Sequence, residues 1–196
     1  MIDRDHFLAA VAKHFGRLGP DHSPGLAQSQ VGGFGKILDE WESRGGLTDE
    51  RWLAYMLATV WHETARKMQP IRELGSEAYL KRKPYWPYVG EGLVQVTWKR
   101  NYAKFGARKP GDLLEWPLAL HALFDGMITG EFTGRQLSDY FNHRADDPLH
   151  ARRIINGLDR AALIASYHRA FLAALAPMPA NDIGSPAASS TDARAA

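Results

Sequence analysis

Residues 47–64, "LTDERWLAYMLATVWHET", constrain this chain more than any other stretch. Leu53, Met56, Leu57, Val60, Trp61 and Thr64 recur at the spacing of one helical face, and Thr48 can cap the helix start. Asp49 and Glu50 suit the positive end of the helix dipole. The apolar run over residues 52–61 falls well short of the roughly 20 residues a membrane span needs. The sequence therefore predicts a central, mostly buried helix around which the rest of the fold is organised.

The flanking segments read as mainly helical. Phe7, Leu8, Val11 and Phe15 carry an amphipathic pattern at the N-terminus, where charges interrupt the apolar run that an export signal would need. Cytoplasmic synthesis is expected on that ground. A second helical pattern runs through Ile37, Leu38 and Trp41 and stops at Gly45 and Gly46. Residues 70–111 are rich in Gly, Pro and aromatics; within them "GLVQVTW" alternates as a short strand would, and residues 101–105 permit a helical turn. Helical character returns in "WPLALHALFDGMITG", with Pro117 at a first helical position and Gly130 as a stop, then in "TGRQLSDYF" and "LDRAALIASYHRAFLAAL", where Asp159 is the expected cap. At 196 residues the chain is long enough for one domain with a real core, placed at residues 1–176. Residues 177–196 hold few large apolar side chains and are expected to form a disordered tail.

Several function classes are disfavoured. A net charge of only +2 comes without a basic stripe, so nucleic-acid binding is not indicated. The absence of cysteine excludes disulfides, thiolate metal sites and cysteine nucleophiles. His62-Glu63 opens the HExxH zinc pattern, but Arg66 stands where the second histidine belongs. His143, Asp146, Asp147 and His150 lie close in sequence without metal-ligand spacing and read as a polar loop. No GxSxG or phosphate-binding loop is present, and no cofactor is expected.

Two acids remain. Glu63 follows an apolar helical face, where an isolated carboxylate would lose solvation and hold its proton, which suits a general acid. Glu73 is ten residues on. A continuous helix would hold them about 15 Å apart along its axis, whereas the paired carboxylates of glycosidases stand roughly 5 to 9.5 Å apart. Pro70 disfavours helical geometry at Gln69 and would let the chain turn to bring Glu73 back. The plain alternative pairs Glu63 with Arg66 and leaves Glu73 solvated.

The succession "LAYMLATVWHET", "MQPIRE", "GLVQVTWKRNY", "FTGRQLSDYF" and "ARRIINGLD" resembles the family 19 glycoside hydrolases, in particular the compact members related to chitinases and endolysins, over about residues 1–175. The resemblance implies a two-lobed, lysozyme-like, mainly α fold with a short β element near residues 88–98. It implies inverting cleavage of β-1,4 bonds next to N-acetylated sugars by a monomer, with Glu63 as general acid and Glu73 as general base. Thr97 matches the hydroxyl position that holds the attacking water. Gln95, Asn101 and Asn156 match polar positions at the cleft, and Tyr88, Trp98 and Tyr102 belong to its aromatic segment. Trp98 and Tyr102, four apart, are equally compatible with the core, and His62 is expected to orient Glu63. In place of the family's usual Tyr-x-Gly-Arg-Gly the chain reads "YVGEG", so Glu91 reverses a charge near the expected cleft and could disturb both acids or require a partner. The expected substrate is peptidoglycan, reached by release to the cell wall on lysis, with chitin or its oligomers as an alternative and a catalytically weakened saccharide-binding or phage structural protein as another. The "KRKP" run, residues 81–84, is a solvated loop that could also aid encounter with an anionic wall.

Overall fold

A computed structural model describes residues 1–18 and 24–177. The expected tail lies, beyond Pro177, outside the described residues. Eight α-helices dominate the described residues: α1 (Arg4–Phe15), α2 (Gln28–Ser43), α3 (Glu50–Glu63), α4 (Glu77–Leu80), α5 (Lys99–Lys104), α6 (Trp116–Thr129), α7 (Leu137–Tyr140) and α8 (Ala161–Leu175). Two antiparallel pairs of two-residue strands join them: β1 (Arg17–Leu18) with β2 (Pro24–Gly25), and β3 (Ile71–Arg72) with β4 (Glu91–Gly92). The fold is mainly α, as the sequence predicts. None of the described helices is long and apolar enough to cross a membrane.

The central helix is α3. Every residue from Leu53 to Trp61 is buried, so the apolar face read from the sequence extends around the whole circumference. Its neighbours explain why: α8 packs along it most extensively, α2 and α6 also meet it, and α1 lies on α8. Phe7, Phe34, Trp61 and Phe171 form one aromatic cluster there, with the Phe34 and Trp61 rings stacked at 6.2 Å. Of the polar groups inside α3, the Thr59 hydroxyl satisfies itself locally, donating to the Tyr55 carbonyl at 2.9 Å, whereas the Tyr55 hydroxyl and the Trp61 indole nitrogen are buried without a hydrogen-bond partner among the described residues. The cap is Asp49 and not Thr48, its carboxylate accepting from the Arg51 amide. A carboxylate at that place gains both the amide bond and an ion pair to the Arg51 side chain at 2.6 Å.

The end of α3 corrects the role expected of Pro70. The helix stops at Glu63, well ahead of the proline. Thr64 caps it, donating its hydroxyl to the Val60 carbonyl at 2.7 Å and accepting from the Met68 amide at 3.1 Å. Ala65, Arg66 and Met68 then take left-handed backbone angles, φ 49, 68 and 54°. Such angles are costly for residues with a Cβ, so the surroundings must hold them. They do. The side chain of Gln30 donates to the Arg66 carbonyl at 2.8 Å, and that of Gln69 donates to the Ser29 carbonyl. Gly33 admits the turn against α2, since a Cβ there would stand 1.8 Å from the Met68 carbonyl oxygen.

Two further expectations shift. The ladder forms at Glu91–Gly92, ahead of most of "GLVQVTW"; the following residues curl into a loop closed by a Glu91–Val96 bridge, with Gln95 at φ 53°. Leu93, Val94 and Val96 are all buried, so the alternation reflects a loop folded into the core and not a two-faced strand. Asp159 does not cap α8. Arg160 precedes that helix at φ 58° with no side-chain cap, and Asp159 gives its carbonyl to Arg152 Nε at 3.2 Å. Pro117 is the second residue of α6, and Gly130 ends it in the left-handed conformation, φ 79°.

Candidate active site

The left-handed turn after α3 reverses the chain and places Glu73 just beyond β3, where its amide donates to the Gly90 carbonyl at 2.6 Å. Glu63 and Glu73 thereby line one open hollow of ≈ 440 Å³, together with His62, Tyr85, Gln95 and Thr97. An adjoining hollow of ≈ 380 Å³ shares Glu63, Tyr85, Gln95 and Thr97 and continues past Trp98, Asn101 and Asn156 over a floor that includes Val94, Phe132 and Ile155. The two form one groove. A larger hollow of ≈ 690 Å³ lies elsewhere, by the start of α1 and the end of α8. Two of its three acids are already engaged, Asp3 as the cap of α1 and Glu42 in a pair with Arg4 at 2.7 Å; the third, Glu50, stands in the first turn of α3.

The two acids have different supports. Glu63 receives Arg152 Nη1 on Oε1 at 2.7 Å, and the Arg152 side chain is only 5% exposed. This replaces the Arg66 pairing considered from sequence, and Glu63 is not the isolated carboxylate expected there. Arg152 comes from the 3-10 segment His150–Ile154 and is braced by the Asp159 carbonyl. Glu73 instead receives neutral donors: the Tyr85 hydroxyl on Oε1 and the Gly90 amide on Oε2, each at 3.0 Å. Burial, with that hydrogen bond to Glu73, pushes the Tyr85 hydroxyl pKa up, so Tyr85 remains a proton donor near neutral pH. His62 is half-buried at the groove, and burial pushes its pKa down, against the opposing pull of Glu63. Its ring is therefore neutral near pH 7.

The remaining candidates divide. Thr97 lines the groove and donates its hydroxyl to the Gln95 carbonyl at 3.1 Å, which leaves the oxygen free to accept. Gln95 spends its amide nitrogen on the Ile71 and Gly92 carbonyls, at 2.9 and 3.2 Å, so it ties β3 to β4 and offers the groove its oxygen at most. Asn101 donates to the Thr97 carbonyl at 2.8 Å, and exposed Asn156 accepts from the Gly157 amide at 2.8 Å. Trp98 is 42% exposed and meets the Tyr85 ring edge-on at 5.5 Å, so it belongs to the groove and not the core. Tyr102 is the reverse: fully buried, its hydroxyl donates to the Val89 carbonyl at 2.6 Å, and it has no face for a ligand. Tyr88 packs edge-on against Tyr102 at 5.2 Å and is not among the groove-lining residues.

Glu91 is a further correction. It is 1% exposed and its carboxylate accepts the Gly111 amide at 2.9 Å, on the core side of β4 and away from the groove lining. Burial pushes its pKa up, opposed by the Gly111 amide and Tyr102. The partner it requires is a backbone amide, and the groove holds two acids, not three. Asp147 and His150 of the polar loop pair with each other at 2.7 Å. Among the described residues no group of three or more acidic or histidine side chains is placed to hold a metal ion.

The sequence reading does not single out Arg152, although it stands in the quoted "ARRIINGLD", or Tyr85, which directly follows the "KRKP" run. The one signal for Tyr85 is the aromatic content of residues 70–111. No family model, curated protein or solved structure matches this chain.

Proposed function

We propose that the chain is an inverting glycoside hydrolase of the family 19 type, cutting β-1,4 bonds next to N-acetylated sugars, with peptidoglycan as substrate. The observation that carries this is the convergence of Glu63 and Glu73 on one groove from opposite sides of a left-handed turn. A polysaccharide lies in an open groove, and acetal cleavage needs one carboxyl to protonate the leaving oxygen and a second to activate water on the other face of the ring. The acid role of Glu63 follows from its place in the "HET" of the family 19 resemblance and not from isolation, and Arg152 orients its carboxyl through one oxygen. Glu73 is the base. Tyr85 and the Gly90 amide fix its plane, and Thr97 offers the attacking water an acceptor across the groove. Trp98 gives a sugar ring an apolar face, and the amides of Asn101 and Asn156 above an apolar floor suit an acetamido group. With Glu91 in the core, its charge reversal gives no ground for reading a silent site.

The test is clearing of purified peptidoglycan by the wild type beside Glu63→Gln and Glu73→Gln, with chitin oligomers in parallel and the anomer of the first product read by NMR. Each substitution is expected to lower the rate by 10²-fold or more, roughly the contribution of a positioned acid or base. Full activity in a folded Glu63→Gln variant would end the assignment. Cleavage of chitin oligomers alone would move the substrate to chitin, and saccharide binding without turnover would leave a binding protein.

A further inference from the structure

The groove continues beyond Glu73 onto a surface that the cleavage chemistry leaves unused. Leu74 lines the groove and is 59% exposed. Next to it stands Tyr79, 41% exposed, its ring seated on the Gly75 backbone, where an added Cβ would come within 2.7 Å of the ring. Lys83 Nζ lies 4.2 Å over that ring, and its charge is felt at both Tyr85 and Glu73. Lys81 Nζ and the Arg72 guanidinium lie 5.9 and 5.5 Å from the Trp86 ring. Residues 72–86 hold four cations, Arg72, Lys81, Arg82 and Lys83, against two acids, Glu73 and Glu77. Glu77 is taken by Arg72 at 2.6 Å, and Glu73 by Tyr85 and Gly90. Lys81, Arg82 and Lys83 make no ion pair with a described residue. The other half of the groove differs: its lining carries amides, apolar groups and no charge besides Glu63.

Exposed apolar side chains beside unpaired cations, continuous with a groove, form an amphipathic platform. Apolar surface gains by being covered, and ammonium groups held over aromatic rings favour an anion that arrives with a sugar or peptide. We propose that Tyr79, Trp86, Lys81 and Lys83 form a subsite for a carboxylate carried by the glycan, either on the sugar itself or on a short peptide attached to it. This rests on the glycan reading of the groove and narrows it: the preferred substrate is a polysaccharide with carboxylate substituents, and neutral chitin fills only the uncharged half.

The experiment measures equilibrium binding of soluble peptidoglycan fragments by the full chain, at low and high salt, beside the same fragments with their carboxyls converted to methyl esters. The wild type is expected to bind the native fragments three- to tenfold more tightly than the esters, a preference that salt erodes, as suits two exposed ion pairs. A Lys81→Gln, Lys83→Gln double variant, shown folded by circular dichroism, is expected to bind both forms with the affinity the wild type shows for the ester. Equal binding of both forms by the wild type, no binding of either, or an intact preference in the double variant would overturn the subsite. A carboxylate preference in a protein that cleaves nothing would sustain the subsite while removing the hydrolase.

Discussion

Glu63 and Glu73 stand ten residues apart in the chain and belong to two differently built regions. Glu63 ends α3, whose residues from Leu53 to Trp61 are all buried, and it is held by a cation that is itself buried. Glu73 sits in a segment whose regular structure amounts to two-residue strands and one turn of helix, held by single hydrogen bonds between side chains and backbone. Burial fixes the first acid and directed polar contacts fix the second. The helical region should therefore fail through desolvated charge and lost packing, in steps of several kcal/mol. The loop region should fail one hydrogen bond at a time, near 1 kcal/mol each.

The sharpest test is Arg152→Met. Removing the cation leaves the Glu63 carboxylate, 16% exposed, without its partner. A loss of about 3 kcal/mol in urea unfolding is expected, with hydrolysis falling further than stability explains. A loss under about 1 kcal/mol would place the two acids in equivalent surroundings and break the comparison. The second test concerns His168 on α8, which is 1% exposed and stacked on Phe141 at 5.1 Å. Burial pushes its pKa down to about 4. The folded state holds the ring neutral, while the unfolded chain takes up the proton near pH 6.5, so this stability is complete above that pH and drains away as pH falls towards 4. At about 1.4 kcal/mol per pH unit the loss is on the order of 3 kcal/mol. Thermal midpoints should fall between pH 6.5 and 5, before most carboxylates titrate, and His168→Leu should flatten that slope.

The turn between the two regions, and then the loop region itself, give smaller numbers. Thr64→Val keeps the shape of a fully buried side chain but strands the Met68 amide. A cost of about 2 kcal/mol is expected, with faster amide exchange at Met68 as the local sign. Tyr85→Phe removes one of two donors to Glu73. Stability should change by less than about 1 kcal/mol while turnover drops several-fold. A stability loss as large as that of Arg152→Met would show that the loop region is built on burial after all.

The same division governs what the sequence discloses. Periodicity marked α1, α2, α3, α6 and α8 because each buries a stripe or more of apolar side chains, and burial repeats with the helix. The cap of α3 falls one residue on, because two eligible groups stand together, Thr48 beside Asp49, and α8 follows Arg160 with no side-chain cap although Asp159 stands next to it. In the loop region no period exists. The pattern of "GLVQVTW" suits a strand as well as a loop turned into the core, and the turn that ends α3 runs through non-glycine residues at positive φ, which no propensity suggests. At the groove, Glu63, Glu73, Thr97, Trp98, Asn101 and Asn156 were visible because the motif succession ordered them. Tyr102 and Tyr88 were misplaced because aromatic residues suit a sugar and a core equally. Arg152 stands beside Arg153, and only the fold decides that the first is buried and the second exposed.

The bond from Arg152 to Glu63 joins positions 89 residues apart. During synthesis both acids and the turn between them emerge long before the guanidinium that completes them, together with Asn156 on the groove wall. A growing chain can gather its local helices early, whereas contacts of such separation close late. Assembly of the groove thus waits on the synthesis of residues 150–156, and a product released ahead of residue 150 would display both carboxylates yet possess no finished site.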